Sequence, residues 1–235
     1  MVQWKHRIRT WIETLLHSET LAKDLQDNLA IQALTPLTTT YLPWSSSAMR
    51  PSGIVKVLNT LVFRRPQAVV ECGSGLTTYY LAKLLKNLGH GHLYTIDHDL
   101  DWLHQVKGFL TQEKLLDFVT FIHAPLAPCA LALDGNLWYD AEPIQRAIGN
   151  QEINCLIVDG PPAYEPGKQL ARYPAVPFFA KQLAPACPIV LDDIQRPGER
   201  RIIQRWSDQL GISFQMYPVD GGIAVSQPAQ GFNIE

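Results

Sequence analysis

The sequence predicts a doubly wound α/β domain, and three observations carry that prediction. From residue 68 onward short apolar runs alternate with helical stretches. The first of these runs opens directly into a Gly-x-Gly turn followed by a helix. The last two runs are joined by so short a connection that they cannot be parallel neighbours, since a parallel crossover needs about a dozen residues. Alternating strands and helices imply a mostly parallel sheet covered on both faces, and the final strand is expected to run antiparallel at or near one edge.

The elements follow in order. Residues 3–34 read as helical, because Trp4, Ile8, Trp11, Ile12, Leu15 and Leu16 fall on one face. Lys5, Arg7 and Arg9 flank that face, so a membrane-surface helix is one reading. Packing against the main domain or a second subunit is the commoner outcome, and a homodimer through this helix is expected. Thr35 to Pro51 is rich in Thr, Ser and Pro and reads as a loop. The chain therefore divides into a helical extension and loop, 1–51, and an α/β domain, 52–235. Ile54 to Phe63 is helical and is ended by Arg64-Arg65-Pro66. Strands are predicted at Ala68–Cys72, His92–Ile96, Phe118–Ile122, Asn154–Val158 and Pro188–Leu191, with helices over Thr77–Asn87, Leu100–Gln112 and Gly198–Gln209. Ile212–Met216 and Gly222–Ser226 are the closing strands, with a turn from Pro218 to Gly221.

Composition narrows the function. With 46% hydrophobic and 18% charged residues the chain suits a packed core. A net charge of −2 lacks the basic surplus of a general nucleic-acid binder. No run of about 18 apolar residues is present, so neither a membrane span nor a membrane partner is expected. Met1-Val2-Gln3-Trp4-Lys5-His6-Arg7 leads into no apolar h-region, so no secretory signal is expected. Cys72, Cys129, Cys155 and Cys187 show no C-x-x-C spacing and read as reduced core thiols of a cytoplasmic protein, not a zinc site.

The informative segment is Val69-Val70-Glu71-Cys72-Gly73-Ser74-Gly75-Leu76-Thr77-Thr78. A buried strand enters two glycines that allow a tight turn and close approach of a ligand to the backbone. In open α/β sheets that loop lies at the ligand crevice. Asp97, at the end of the second strand and about 20 residues beyond the glycines, is placed to grip ribose hydroxyls. A dinucleotide fingerprint wants a third glycine where Thr78 stands. Glu71 is also unsuited to a pyrophosphate and suits a cofactor carrying an ammonium and a sulfonium. A nicotinamide-dependent oxidoreductase is thus the weaker reading. A non-catalytic cofactor-binding or partner-docking protein is a third, opposed by the intact Glu71, Gly73, Gly75 and Asp97.

Glu71-Cys72-Gly73-Ser74-Gly75 resembles motif I of class I S-adenosylmethionine-dependent methyltransferases. Thr95-Ile96-Asp97-His98-Asp99 with Trp102, Ile157-Val158-Asp159-Gly160-Pro161-Pro162, Arg172-Tyr173-Pro174-Ala175 and Val190-Leu191-Asp192-Asp193-Ile194 resemble the branch related to catechol O-methyltransferase, methyltransferase family 24. The resemblance spans about residues 44–226. It implies a Rossmann-like seven-stranded sheet of order 3-2-1-4-5-7-6 with strand 7 antiparallel. It also implies S-adenosylmethionine as cofactor, with Glu71, Gly73, Ser74 and Gly75 at its methionine end, Asp97 and His98 at the ribose, and Ala124, in His123-Ala124-Pro125-Leu126, bordering the adenine. The Trp44–Met49 loop is expected to close over it.

Asp159 ends strand four, and Asp192 and Asp193 end strand five. Adjacent strands lie about 4.8 Å apart, so these carboxylates can converge on one hard cation, magnesium or another divalent ion. In the related catechol enzymes the matching positions hold a divalent metal, with an asparagine where this chain has Asp193. Their lysine base has no match either, because Pro162 stands at that position. Asp159 and Lys168 are therefore taken as the catalytic candidates, with His123 and Tyr164 as further candidates for the base. Capping of the following turns is the bland alternative for the aspartates. Arg172 reads either as an anchor for an anionic substrate or as half of an ion pair. Arg196, Arg200, Arg201 and Arg205 read as a solvated helix face, and Trp138-Tyr139-Asp140 as a substrate wall or local packing. An amino methyltransferase acting on nucleic acid is disfavoured, since Gly160 separates Asp159 from Pro161-Pro162. The expected activity is O-methylation of a small molecule, with no nucleic-acid partner.

Overall fold

The computed structural model describes residues 20–219 and 221–227. Trp4, Ile8, Trp11, Ile12, Leu15 and Leu16, the apolar face predicted for the N-terminal helix, lie outside the described residues. Helix α1 covers 20–34 and runs into a 3₁₀ turn at Thr35–Leu37, followed by α2 (Pro51–Val62), β1 (Ala68–Cys72), α3 (Leu76–Leu88), β2 (His92–Asp97), α4 (Leu100–Gln112) and β3 (Val119–His123). A small hairpin of β4 (Leu126–Pro128) and β5 (Leu137–Tyr139) leads into α5 (Ala141–Ile148) and β6 (Cys155–Val158). Then come α6 (Ala175–Phe179), β7 (Ile189–Asp192), α7 (Pro197–Leu210), β8 (Ser213–Tyr217) and β9 (Ile223–Gln227).

The seven-stranded sheet has the order β3-β2-β1-β6-β7-β9-β8. β3, β2, β1, β6 and β7 pair in parallel, and β9 inserts antiparallel between β7 and β8. Because the hairpin β4–β5 is a separate two-stranded sheet, this is the expected order 3-2-1-4-5-7-6.

Side-chain alternation splits the core into two layers. Val69, Leu93, Cys155, Ile157 and Val190 face one layer, against Ile54 and Leu61 of α2, Tyr79 and Leu85 of α3, and Val106 and Leu110 of α4. Val70, Cys72, Leu156, Val158 and Leu191 face the other, against Ile144 of α5, Phe179 of α6, and Ile202 and Trp206 of α7. Strands buried on both faces explain the continuous apolar runs in the sequence. Trp138 of β5 is fully buried and packs at a tilt against Phe178, with 4.7 Å between centroids, so it is core packing, not a substrate wall.

Helix ends follow local chemistry. The Asp99 side chain accepts from Trp102 N at the start of α4, and Asp140 accepts from Glu142 N at the start of α5. α2 begins at Pro51, three residues before the predicted start, because proline at N1 is pre-organised for a helix. α1 is clasped to it by the buried Asp27, whose carboxylate accepts from Arg50 Nε at 2.8 Å and from Ser52 Oγ at 2.6 Å. Leu34, Leu42 and Met49 sink into the α2–α3 layer. The Trp44–Met49 loop is therefore anchored to that layer by Met49.

Candidate functional site

The carboxyl ends of β1, β2, β6 and β7 meet at one edge of the sheet. Gly73 leaves β1 with φ +96°, and a Cβ there would stand 2.9 Å from the Asp159 carbonyl carbon and oxygen. A side chain is thus barred by backbone sign and by space. Gly160 meets the same restriction from the other side: a Cβ would run into the Tyr139 hydroxyl and lie 2.9 Å from Gly73 Cα. The β1 and β6 loops are consequently packed backbone to backbone. Around Gly75, by contrast, a Cβ would meet nothing within 4 Å, so the start of α3 presents an open backbone surface.

Glu71 shares the Val69 face of β1 and is wholly buried. Its Oε2 accepts from Thr78 Oγ1 at 2.6 Å and from Thr95 Oγ1 at 2.7 Å. Its Oε1 is buried without a hydrogen-bond partner. Burial pushes its pKa up to about 8, against the two threonine hydrogen bonds. Thr78 also accepts from Gly75 N at 2.8 Å, so the residue that broke the three-glycine pattern holds both the acid and the glycine turn. Sequence reasoning missed Thr78 and Thr95 as site residues, although position 78 was already conspicuous.

Asp97 ties the loop to β2. Its Oδ2 accepts from Ser74 N at 2.9 Å and its Oδ1 from Asp99 N at 3.0 Å. His98 Nδ1 lies 3.1 Å from Asp97 Oδ1, and that carboxylate raises the imidazole above its ordinary value, against burial and against the charge of Lys168. Ser74 Oγ meets Thr95 Oγ1 at 2.7 Å, and Trp102 Nε1 donates to the Ser74 carbonyl at 2.7 Å. Ala124 N donates to the Asp97 carbonyl at 2.9 Å, which places the end of β3 beside the end of β2. The structure therefore gathers Glu71, Gly73, Ser74, Gly75, Asp97, His98 and Ala124 along one edge.

Asp159, Asp192 and Asp193 converge as the strand ends predicted, with an oxygen from each within 4.8 Å of the others. Asp193 reaches this position from left-handed backbone, φ +62°, a conformation aspartate tolerates better than most residues. Burial first, and then the neighbouring Asp192 charge, holds Asp159 well above the usual carboxylate range. Asp192 is raised by burial and by Asp193. Arg172 stands among them. Its Nη2 lies 3.2 Å from Asp159 Oδ1 and 3.0 Å from Asp193 Oδ2.

Arg172 precedes α6 and is buried, with its donors turned to protein acceptors, so it is a partner of the aspartates and not an anchor for an anionic substrate. Arg196 Nη1 lies 2.8 Å from Asp193 Oδ2 and 3.6 Å from Glu199 Oε1, which removes it from the solvated face predicted for α7. Arg200, Arg201 and Arg205 are exposed as expected. Lys168 is not drawn into the cluster: it is exposed and its Nζ pairs with Glu165 at 2.8 Å. Tyr164 is exposed, and His123 Nε2 lies 3.2 Å from the His98 carbonyl.

The model of a methyltransferase domain family matches residues 70–194, more than half of the chain, from within β1 to just beyond β7. The chain belongs to that methyltransferase family. Solved structures share the fold at low sequence identity. A methyltransferase from Podospora anserina with S-adenosylhomocysteine bound is 13% identical, with a TM-score of 0.58 over 86% of this chain and 88% of that one. An O-methyltransferase from Bacillus cereus, in complex with S-adenosylhomocysteine, is 16% identical at a TM-score of 0.55, over 86% of this chain and 89% of that one. A methyltransferase from Geobacter sulfurreducens is 16% identical at 0.53, over 77% and 79%. Among curated proteins none matches the sequence. The methyltransferase is thus of the class I, S-adenosylmethionine-dependent kind. Among the described residues no helix is long and apolar enough to cross a membrane.

Proposed function

We propose that this methyltransferase transfers the methyl group of S-adenosylmethionine to a hydroxyl oxygen of a small molecule, with Asp159 receiving the hydroxyl proton. The observation that carries the reading is that Asp159 is packed directly on the Gly73 turn while its carboxyl is held at raised proton affinity. The cofactor fits the residues present. Glu71 offers a buried carboxylate oxygen that lacks a partner, and the start of α3 leaves open space at Gly75. Glu71, Gly73, Ser74 and Gly75 would hold the methionine end, Asp97 and His98 the ribose, and Ala124 the adenine.

S-adenosylmethionine supplies an electrophilic methyl group on a sulfonium. The protein's part is alignment, which can contribute about 7–11 kcal/mol at best, and removal of a proton, which adds about 10²–10⁴ in rate. Asp159 follows β6 directly, abuts the Gly73 turn and keeps 16% of its side chain exposed, so an oxygen nucleophile that approaches this turn would meet its carboxylate. Lys168, exposed and paired with Glu165, is the weaker candidate for this role, though its charge reaches His98. A divalent ion held by Asp159, Asp192 and Asp193 is the other way in which converging carboxylates are used. Arg172 weighs against it: two unit charges about 4 Å apart repel by roughly 4 kcal/mol at an effective dielectric of 20, and a divalent ion doubles this.

A thermal melt tests the cofactor. S-adenosylhomocysteine at a hundred times its dissociation constant should stabilise by about 2.7 kcal/mol. NAD should not shift the melt, and a shift with NAD alone would move the reading to an oxidoreductase. Asp97→Ala removes the acceptor of Ser74 N and Asp99 N together with the ribose contacts. It should weaken S-adenosylhomocysteine binding by about 1.5–3 kcal/mol in calorimetry. An unchanged affinity would remove Asp97 from the ribose.

Two copies are further inferred to associate through the N-terminal helix. Leu21, Leu25 and Leu29 recur every fourth residue on α1 and each exposes more than half of its surface. In sedimentation the chain should run as a dimer, and Leu25→Glu should make it monomeric while sparing the melt shift. A monomeric wild type would end this inference. Four free cysteines accord with a cytoplasmic setting.

A further inference from the structure

The carboxylates at the ends of β6 and β7 already contain a cation. Arg172 is only 3% exposed, and its guanidinium spans both strand ends. Nη2 lies 3.2 Å from Asp159 Oδ1 and 3.0 Å from Asp193 Oδ2, and donates to the Asp159 carbonyl at 2.9 Å. Nη1 donates to the Asp192 carbonyl at 3.3 Å, and Nε to the Pro161 carbonyl at 3.3 Å. One nitrogen thus occupies the space between two of the three carboxylates that a bridging metal would need. The group cannot shed its charge, because guanidinium stays protonated in proteins. Nor can it leave without cost, because its three nitrogens would forfeit the carbonyls of Pro161, Asp192 and Asp159 and the Asp159 carboxylate. Arg196 adds a second positive charge 2.8 Å from Asp193 Oδ2.

We infer that Arg172 is a built-in substitute for a divalent metal: it bridges Asp159 and Asp193, fixes the Asp159 carboxylate beside the Gly73 turn, and makes the site independent of metal. The role assigned to Asp159 rests on the function proposed above, whereas the exclusion of metal does not. Arg172 does not touch the cofactor edge through any donor and is a positioning residue. Its planar fork matters, since a compact ammonium could not span Asp159, Asp192 and Asp193 at once.

The test is binding of Mn²⁺ to the full chain, followed by electron paramagnetic resonance with and without S-adenosylhomocysteine. Wild type should bind no stoichiometric Mn²⁺ at millimolar concentrations. Arg172→Met keeps an unbranched stem but lacks the guanidinium and its charge. It leaves the carboxylates without their cation and should gain one Mn²⁺ per chain, with an affinity rise of about tenfold or more. Asp193→Asn in that background should abolish the gain. A merely structural arginine would produce instability without any new metal site.

One Mn²⁺ per wild-type chain, lost in Asp193→Asn, would overturn the inference, as would a folded Arg172→Met that gains nothing. If Arg172→Met does not fold, the wild-type titration and Arg172→Lys decide. The lysine variant keeps the charge and should stay free of Mn²⁺, and binding by either protein counts against the inference. The S-adenosylhomocysteine melt is read separately, so failure of the methyltransferase reading appears there and not in the Mn²⁺ signal.

Discussion

Glu71→Gln should stabilise the cofactor-free protein at high pH and weaken its hold on S-adenosylmethionine. Glu71 is wholly buried, and burial lifts its pKa from 4.5 to about 8. The folded state therefore takes up a proton that the unfolded chain releases, so stability falls as pH rises from about 4.5 to about 8 and then levels. Below the lower limit both states are protonated and the residue costs nothing. Above the upper limit the full cost is present. For a shift of this size the cost is on the order of 5 kcal/mol. Glutamine keeps an oxygen to accept from Thr78 and Thr95 but carries no charge. The melting difference between variant and wild type should therefore open with pH, by about 10–20 °C in all for a domain of this size.

Cofactor binding should respond in the opposite sense. A cationic ammonium beside Glu71 favours the carboxylate, so wild-type affinity should rise with pH and flatten above about pH 8. The variant should be flat and weaker. A variant that is less stable at every pH would show that the hydrogen bonds of Thr78 and Thr95 outweigh burial of the charge, and would dismiss the proton-coupled account.

The parts of the site that were legible in the sequence are those where one residue type does one job. Gly73 has no substitute at φ +96° against the Asp159 backbone, and so it stands out as a glycine in a turn. Aspartates at strand ends were placed to within one residue, because each of these apolar runs of the sequence is closed by its first charged residue. The actual strands β2 and β7 include Asp97 and Asp192 themselves, since both acids are buried and bonded in place. What was not legible depends on residues distant in sequence meeting in space. Nothing local to Arg172 shows that it lies between Asp159 and Asp193, 13 residues before it and more than 20 after it along the chain. The hairpin β4–β5 was missed because three-residue strands, one of them ending in Pro128, are too short for any period to register. Yet that hairpin carries Tyr139, whose hydroxyl confines Gly160 and thereby the loop that holds Asp159.

Asp159→Asn should lower kcat by about 10²–10⁴ while S-adenosylhomocysteine affinity changes little. The argument runs through position and charge together. Asp159 N donates to the Cys72 carbonyl at 2.8 Å and its own carbonyl packs on Gly73, so the backbone is fixed to the Gly73 turn whatever the side chain. Asparagine preserves that backbone and one oxygen for Arg172 Nη2, but it cannot accept the proton of a hydroxyl. Burial and the nearby Asp192 raise the proton affinity of Asp159, which brings it nearer to a hydroxyl than an ordinary aspartate. Arg172 opposes that shift and keeps the carboxylate available as an acceptor. The loss should therefore fall on kcat and be smaller with acceptors whose hydroxyl is more acidic, because they need the base less. A uniform loss across acceptors of different acidity would assign Asp159 to holding Arg172 in place, and a kcat within threefold of wild type would remove it from the proton path altogether.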